Sequence, residues 1–156
     1  VNRKSVLIVD DEPLAREALV EALSGFDDVE IVGECSNGFE AVKAINESRP
    51  DIVFLDIQMP KLDGFDVLEL LGEDPPYVVF VTAYDEYALK AFESHALDYV
   101  LKPVRPERLE RTFAKVNERL EAKSPLPVDA LLADRRERSK PLDRILVRDR
   151  ANVYII

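Results

Sequence analysis

Ile52-Val53-Phe54-Leu55-Asp56 is four apolar residues in a row followed at once by a carboxylate. The run is short, rich in β-branched and aromatic residues, and does not alternate, which suits a strand buried on both faces of a parallel sheet. Working outward, Val6-Leu7-Ile8-Val9, Tyr77-Val78-Val79-Phe80-Val81 and Tyr99-Val100-Leu101 repeat the pattern. Val29-Glu30-Ile31-Val32-Gly33 alternates in part, which predicts an edge strand. Helical periodicity fills the gaps. Pro13 to Leu23 gathers Leu14, Ala15, Ala18, Leu19, Ala22 and Leu23 on one broad face, with Gly25 as a stop. Phe39, Val42 and Ile45 define a second helix that ends before Arg49-Pro50. Phe65 to Leu71 predicts a third and Asp85 to Ser94 a fourth. A fifth runs from Pro106 to Ala122, with Leu109, Phe113, Val116 and Leu120 on one stripe. Strand and helix thus alternate five times, which implies right-handed crossovers and an α/β, doubly wound parallel sheet with helices on both faces.

The chain has 156 residues, 47% of them hydrophobic, enough for one ordinary domain plus a remainder and too apolar for wholesale disorder. A single cysteine, Cys35, excludes an internal disulfide and a multi-cysteine zinc site. No apolar run approaches the roughly 18 residues of a membrane span. Val1-Asn2-Arg3-Lys4 leads straight into a strand-like run, so the expectation is no signal peptide and a cytoplasmic location. Charge is uneven. Residues 1–122 carry 13 Lys+Arg against 26 Asp+Glu, whereas 123–156 carry 8 against 5. The acidic body should repel nucleic acid, and DNA binding would have to come from the tail or beyond it.

Lys123 to Pro141 is polar and proline-bearing, and predicts a linker. Its run Asp134-Arg135-Arg136-Glu137-Arg138 is interrupted by acids, so it predicts a solvated segment rather than a DNA patch. Residues 142–156 hold two strand-like runs, Arg144 to Asp149 and Asn152 to Ile156. A lone hairpin is marginal in water, so these residues are expected to open a further domain.

The residues that follow the strands carry the chemistry. The first strand ends in Asp10-Asp11-Glu12, the third in Asp56, the fourth in Thr82 and the fifth in Lys102-Pro103. In open α/β sheets ligands bind beyond the carboxyl ends of the strands, so all of these belong to one edge. Aspartates gathered there repel one another unless a cation joins them. Oxygen ligands without His or Cys favour Mg2+. Aspartate is a nucleophile toward phosphoryl groups, and phosphoryl transfer is mostly positioning and charge neutralisation. The set reads as a phosphoryl-accepting aspartate with Mg2+, helped by a lysine and a threonine hydroxyl.

Val9-Asp10-Asp11-Glu12-Pro13, Phe54-Leu55-Asp56-Ile57-Gln58-Met59-Pro60 with Gly64, Val81-Thr82-Ala83 and Val100-Leu101-Lys102-Pro103 together resemble the receiver domain of two-component response regulators. The resemblance covers about residues 4–122. Thr82 to Phe92 with Ala96-Leu97-Asp98-Tyr99 is similar to the LytTR (LytR/AlgR) subfamily, and 142–156 resembles the opening strands of its DNA-binding domain. The resemblance implies a five-stranded, flavodoxin-like sheet of order 2-1-3-4-5. It divides the chain into a receiver (1–122), a linker (123–141) and the first strands of a truncated DNA-binding domain (142–156). It makes Asp56 the phosphoacceptor, and Asp11, Asp56 and the Gln58 backbone carbonyl the Mg2+ ligands, with Asp10 acting through water. Thr82 becomes the switch hydroxyl, Tyr99 the aromatic switch and Lys102 the phosphoryl partner, joined to Pro103 by a cis peptide. The implied partners are a sensor histidine kinase and a second copy of the chain. The second copy would dock through the fourth helix, fifth strand and fifth helix, where Lys90, Arg108, Arg111, Arg119, Asp85, Glu86, Asp98 and Glu107 offer both signs of charge. DNA would be bound only through the C-terminal domain. Side chains at Gln58 and Tyr84 would line the path of the hydrolytic water, with bulky Tyr84 shielding the acyl phosphate.

Plainer roles remain open for single residues. Thr82 is also placed to cap the fourth helix, and Tyr99 to be an ordinary strand aromatic. His95 has no second ligand beside it and predicts a loop position, and Cys35 predicts a buried thiol. An aspartate-based phosphohydrolase would want an acid/base aspartate where Gln58 stands. A flavin module would want a phosphate cradle where the first loop is acidic.

Overall fold

The computed structural model describes residues 3–72 and 74–123. In order these are β1 (Lys4–Val9), α1 (Pro13–Leu23), β2 (Val29–Cys35), α2 (Gly38–Ser48), β3 (Ile52–Leu55), α3 (Gly64–Leu70), β4 (Tyr77–Thr82), α4 (Ala88–Glu93), β5 (Asp98–Leu101) and α5 (Pro106–Lys123). The sheet has the order β2-β1-β3-β4-β5, and every neighbouring pair is parallel. The expected doubly wound, flavodoxin-like α/β architecture is therefore present. The chain divides into two units, Val1–Val116 and Asn117–Ile156, and the described part of the second is the C-terminal stretch of α5. The linker and hairpin expected after Lys123 lie outside the described residues. Among those described, no helix is long and apolar enough to cross a membrane.

The absence of alternation in the central strands has a direct cause. Val6, Ile8, Ile52, Phe54, Val79 and Val81 pack on one face against Leu19, Ala22 and Leu23 of α1 and Leu109, Phe113 and Val116 of α5. Leu7, Val9, Val53, Leu55, Val78 and Phe80 pack on the other against Ala41 and Ile45 of α2, Phe65 and Val67 of α3 and Ala91 of α4. Both faces are covered, so every position of β3 is apolar and fully buried. β2 pairs only with β1 and alternates in burial, as an edge strand should.

Helix faces are narrower than the sequence pattern predicts. Leu14 is 77% exposed and Ala18 is exposed, so neither joins the α1 stripe. At about 100° per residue Leu14 lies far round the helix from Leu19, and only one stripe can touch a flat sheet. Phe39 is likewise exposed on α2, where Ala41 and Ile45 make the contact. Helix α4 starts at Ala88, not Asp85, with Tyr87 as its N-cap, so Thr82 does not cap it. The intervening residues are held by other bonds: the Tyr84 N–H donates to Thr82 Oγ1 (3.4 Å), and the Tyr99 hydroxyl donates to the Tyr84 carbonyl.

Asp98 clamps α5 to β5. Its carboxylate is buried and accepts from Nη1 and Nη2 of Arg108 (2.9 Å each), from the Thr112 hydroxyl (2.6 Å), from Lys115 (2.9 Å) and from the Tyr99 N–H (2.9 Å). Burial alone would raise its pKa. The bonds from Arg108, Thr112 and Lys115 outweigh burial and hold the carboxyl well below the usual carboxylate range. Asp98 and Arg108 therefore serve each other within the chain, and they correct the expectation that both offer surface charge to a partner.

Gly64 sets the approach of α3 to the loop after β3. Its N–H donates to the Ile57 carbonyl (2.8 Å). A Cβ there would lie 2.6 Å from the Asp56 carbonyl oxygen and 3.0 Å from Ile57 Cα, so backbone would have to move. A reciprocal capping box between Asp63 and Asp66 fixes the same turn.

Two outcomes follow from these contacts. Asp98→Ala should cost about 3 kcal/mol of unfolding free energy in urea at neutral pH. A depressed folded pKa gives stability that is present above the unfolded value and lost as pH falls through the folded one. The gap between parent and variant should therefore close progressively below about pH 4, and a gap independent of pH would refute the clamp. Gly64→Ala should cost about 1–3 kcal/mol by overpacking. Gly25→Ala is its control, since an added Cβ there meets nothing within 4 Å and should leave the thermal midpoint nearly unchanged.

Candidate functional site

The strand ladders continue one residue past the strands, and this brings the polar groups together rigidly. The Asp56 N–H donates to the Val9 carbonyl (3.0 Å), the Asp10 N–H to the Cys35 carbonyl (3.0 Å), and the Lys102 N–H to the Thr82 carbonyl (2.9 Å). Asp10, Asp56 and Lys102 are thus fixed by backbone bonds at the carboxyl edge of the sheet.

The carboxylate oxygens of Asp10, Asp11 and Asp56 lie within 4.8 Å of one another. Asp10 is 5% and Asp56 6% exposed, and Asp11 is half-buried. Lys102 Nζ stands 2.8 Å from Asp10 Oδ2, 3.3 Å from Asp56 Oδ2 and 3.9 Å from Glu12 Oε1. Backbone donors hold the other oxygens: Ile57 N–H to Asp56 Oδ1 (2.7 Å) and Glu12 N–H to Asp10 Oδ1 (3.0 Å). Burial pushes the Asp56 carboxyl above its ordinary pKa, and the Asp10 charge adds to that against the opposing pull of Lys102. Burial works against the Lys102 charge, but the bonds and charges of Asp10 and Asp56 outweigh it and raise its pKa.

Charge arithmetic tests the site for a metal. Three carboxylates against one ammonium leave two negative charges in a largely buried space. The donors are all oxygen, close enough to share one ion, and their charge matches a divalent cation. The residues present therefore fit Mg2+.

Thr82 and Tyr99 join this cluster only indirectly. Thr82 is fully buried, and its hydroxyl accepts from the Tyr84 N–H. Tyr99 is half-buried, and its hydroxyl donates to the carbonyl of the same residue. Tyr84 is thus the junction between the two. Gln58 projects outward, and its side-chain amide donates to the Tyr87 hydroxyl (2.9 Å). The Lys102-Pro103 peptide is cis. Cys35 is buried, with its thiol pushed up to about 11 by burial and the Glu40 charge. His95 is exposed, at φ 68°, after α4.

Two contributors escape the sequence. Arg16 donates from Nη1 to the Asp10 carbonyl (2.6 Å) and pairs with Glu34 (3.5 Å), bracing the acidic loop from α1. A basic residue one turn into the helix after an acidic loop is the only signal for it. Tyr87 gives no sequence signal, because its partner Gln58 lies 29 residues away.

The chain resembles transcriptional regulatory protein BtsR of Salmonella typhi, at 57% identity over 114 residues, which is 72% of this chain and 48% of that one. BtsR of Escherichia coli strain K12 is 56% identical over 114 residues, with the same coverage. The chain spans about half the length of these relatives. Among solved structures, the response regulatory domain of mrkE from Klebsiella pneumoniae superposes with a TM-score of 0.69 at 35% identity, covering 76% of this chain and 99% of that one. The REC domain of AraT, a response regulator from Geobacillus stearothermophilus, gives 0.69 at 36% identity, covering 77% and 97%. The response regulator receiver domain model matches residues 6–114, so the acidic edge described above belongs to a member of the response regulator receiver family of two-component signalling proteins.

Proposed function

We propose that this chain is the phosphoacceptor part of a LytTR-type transcription regulator, taking a phosphoryl group onto Asp56 from the phosphohistidine of a sensor histidine kinase. One observation carries the reading: a buried Asp56 carboxylate gathered with two further aspartates and bridged to Asp10 by the Lys102 ammonium. An Asp56 oxygen attacks phosphorus, the bond from phosphorus to the imidazole nitrogen breaks, and the imidazole leaves with the electron pair. Lys102 is already within reach of Asp56 Oδ2 and meets the charge on the phosphoryl oxygens. Asp11, Asp56 and the Gln58 carbonyl would hold Mg2+, with Asp10 reaching it through water. When bound, that ion neutralises phosphoryl oxygens during transfer.

The output follows from the Tyr84 junction. Once Asp56 carries a phosphoryl group, the Thr82 hydroxyl has a stronger, charged acceptor than it has partners now. If it turns there, the Tyr84 N–H is released, and the segment that Tyr99 grips by the Tyr84 carbonyl shifts with it. Phosphorylation thereby biases a two-state equilibrium of residues 83–87 and α4. Exposed Leu89 and Phe92 on α4, with exposed Asp85, Glu86 and Lys90 beside them in sequence and exposed Glu107 and Arg111 on α5, support an α4-β5-α5 surface for a homodimer. Division into a receiver (1–122), a linker (123–141) and the start of a DNA-binding domain (142–156) would let dimerisation pair two DNA-binding domains in the cytoplasm. Tyr84 itself stands two residues beyond Thr82 and shields the acyl phosphate from water.

Incubation with phosphoramidate and Mg2+ should add one phosphoryl group by intact mass, and Asp56→Asn should abolish it. Calorimetric titration should show Mg2+ binding that Asp11→Asn weakens about tenfold or more, at roughly 1.4 kcal/mol per decade. An unmodified parent chain would sink the reading. Tyr84→Ala should speed loss of the phosphoryl group severalfold, and an unchanged rate would remove Tyr84 from the shield.

A further inference from the structure

We propose that Tyr87 is a positioning residue that sets how long a phosphoryl group stays on Asp56, an inference that rests on Asp56 being the phosphoacceptor. Tyr87 is held on three sides. Its hydroxyl accepts from Gln58 Nε2 at 2.9 Å. Its ring packs on Phe65 of α3, with centroids 6.2 Å apart and planes at 59°. It also meets Tyr84 edge-on, at 6.3 Å and 79°. Phe65 is itself a core residue, 8% exposed and packed at a tilt on Phe80 with centroids 5.0 Å apart, with the Lys90 ammonium 4.4 Å from its ring centroid. Tyr87 is therefore referenced to the rigid interior, although it sits at the start of the short helix α4.

What Tyr87 holds lies close along the chain to Asp56 and Thr82. Gln58 lies two residues beyond Asp56, and Tyr84 two residues beyond Thr82. Both are long, exposed side chains with rotamer freedom to lose. The bond to Tyr87 draws the Gln58 amide toward α4. An untethered Gln58 can turn its amide to a water instead. Hydrolysis needs that water: its oxygen bonds to phosphorus, the bond from phosphorus to the Asp56 oxygen breaks, the electron pair returns to the carboxylate, and inorganic phosphate and a proton leave. The Gln58–Tyr87 bond also links the loop after β3 to α4, a connection that meets the one through Tyr84 and Tyr99 where the Tyr87 and Tyr84 rings touch.

Tyr87→Phe removes the hydroxyl and keeps both ring contacts. The chain would be loaded with phosphoramidate and Mg2+, freed of donor, and followed by intact mass and phosphate release. Tyr87→Phe should lose its phosphoryl group about threefold to tenfold faster than the parent, the scale of one lost hydrogen bond. Its thermal midpoint should be unchanged. In a Gln58→Ala background the same substitution should have no further effect, because the bond is already absent. A Tyr87→Phe rate equal to or slower than the parent's would overturn the inference, as would effects of the two substitutions that simply multiply. Failure of the parent chain to load Asp56 would bring down the phosphoacceptor reading itself, a separate result from a loaded chain whose lifetime ignores Tyr87.

Discussion

Lys102 puts one positive charge between two nearly buried carboxylates, and the carboxyl edge of the sheet is arranged around that fact. Two unit charges about 4 Å apart interact by about 4 kcal/mol at the effective dielectric of such a site. Repulsion among Asp10, Asp11 and Asp56 is therefore as large as the attraction that Lys102 offers any one of them. Backbone donors at Glu12 and Ile57 take up two more oxygens, and Arg16 braces the loop from behind. The edge is left short of positive charge. A divalent cation is what such a deficit accommodates.

The parallel ladder holds this unfavourable cluster together. Asp10, Asp56 and Lys102 each sit one residue beyond a strand whose last backbone bonds continue into it. The four-residue strand β3 has every side chain fully buried, so Asp56 cannot retreat without unpacking both faces of the sheet. Close approach of α3 at Gly64 adds a backbone wall behind Asp56. Packing energy spread over the core is what keeps concentrated charge at one edge.

The sheet was legible because burial on both faces writes itself as uninterrupted apolar runs, and the site because its residues each follow a strand. The edge position of β2 and the clustering of Asp10, Asp11, Asp56 and Lys102 needed nothing beyond that, whereas strand order came from the resemblance to receiver domains. Other features are tertiary and leave no local trace. Leu14 looked like core because its neighbours are apolar, but its angle round α1 takes it to the surface. Asp98 and Arg108 looked like surface charges, and only the packing of α5 on β5 reveals that they neutralise each other. The late start of α4 depends on Tyr84 being gripped by Thr82 and by Tyr99, fifteen residues further along.

The Asp98 clamp bears on the proposed switch as well as on stability. Asp98 accepts the Tyr99 N–H, and Arg108, itself held by Asp98, donates to the Tyr99 carbonyl at 3.0 Å. The backbone of Tyr99 is pinned on both sides by one buried charge network, while its side chain reaches across to the Tyr84 carbonyl. In the proposed switch the Tyr99 side chain changes its grip on Tyr84, and that needs a backbone that does not move with it. Without that fixed pivot, motion of residues 83–87 would be absorbed by β5 rather than passed to α4. Under that proposal the network makes the displacement directional, because it fixes the backbone of Tyr99 and leaves its side chain as the part that responds.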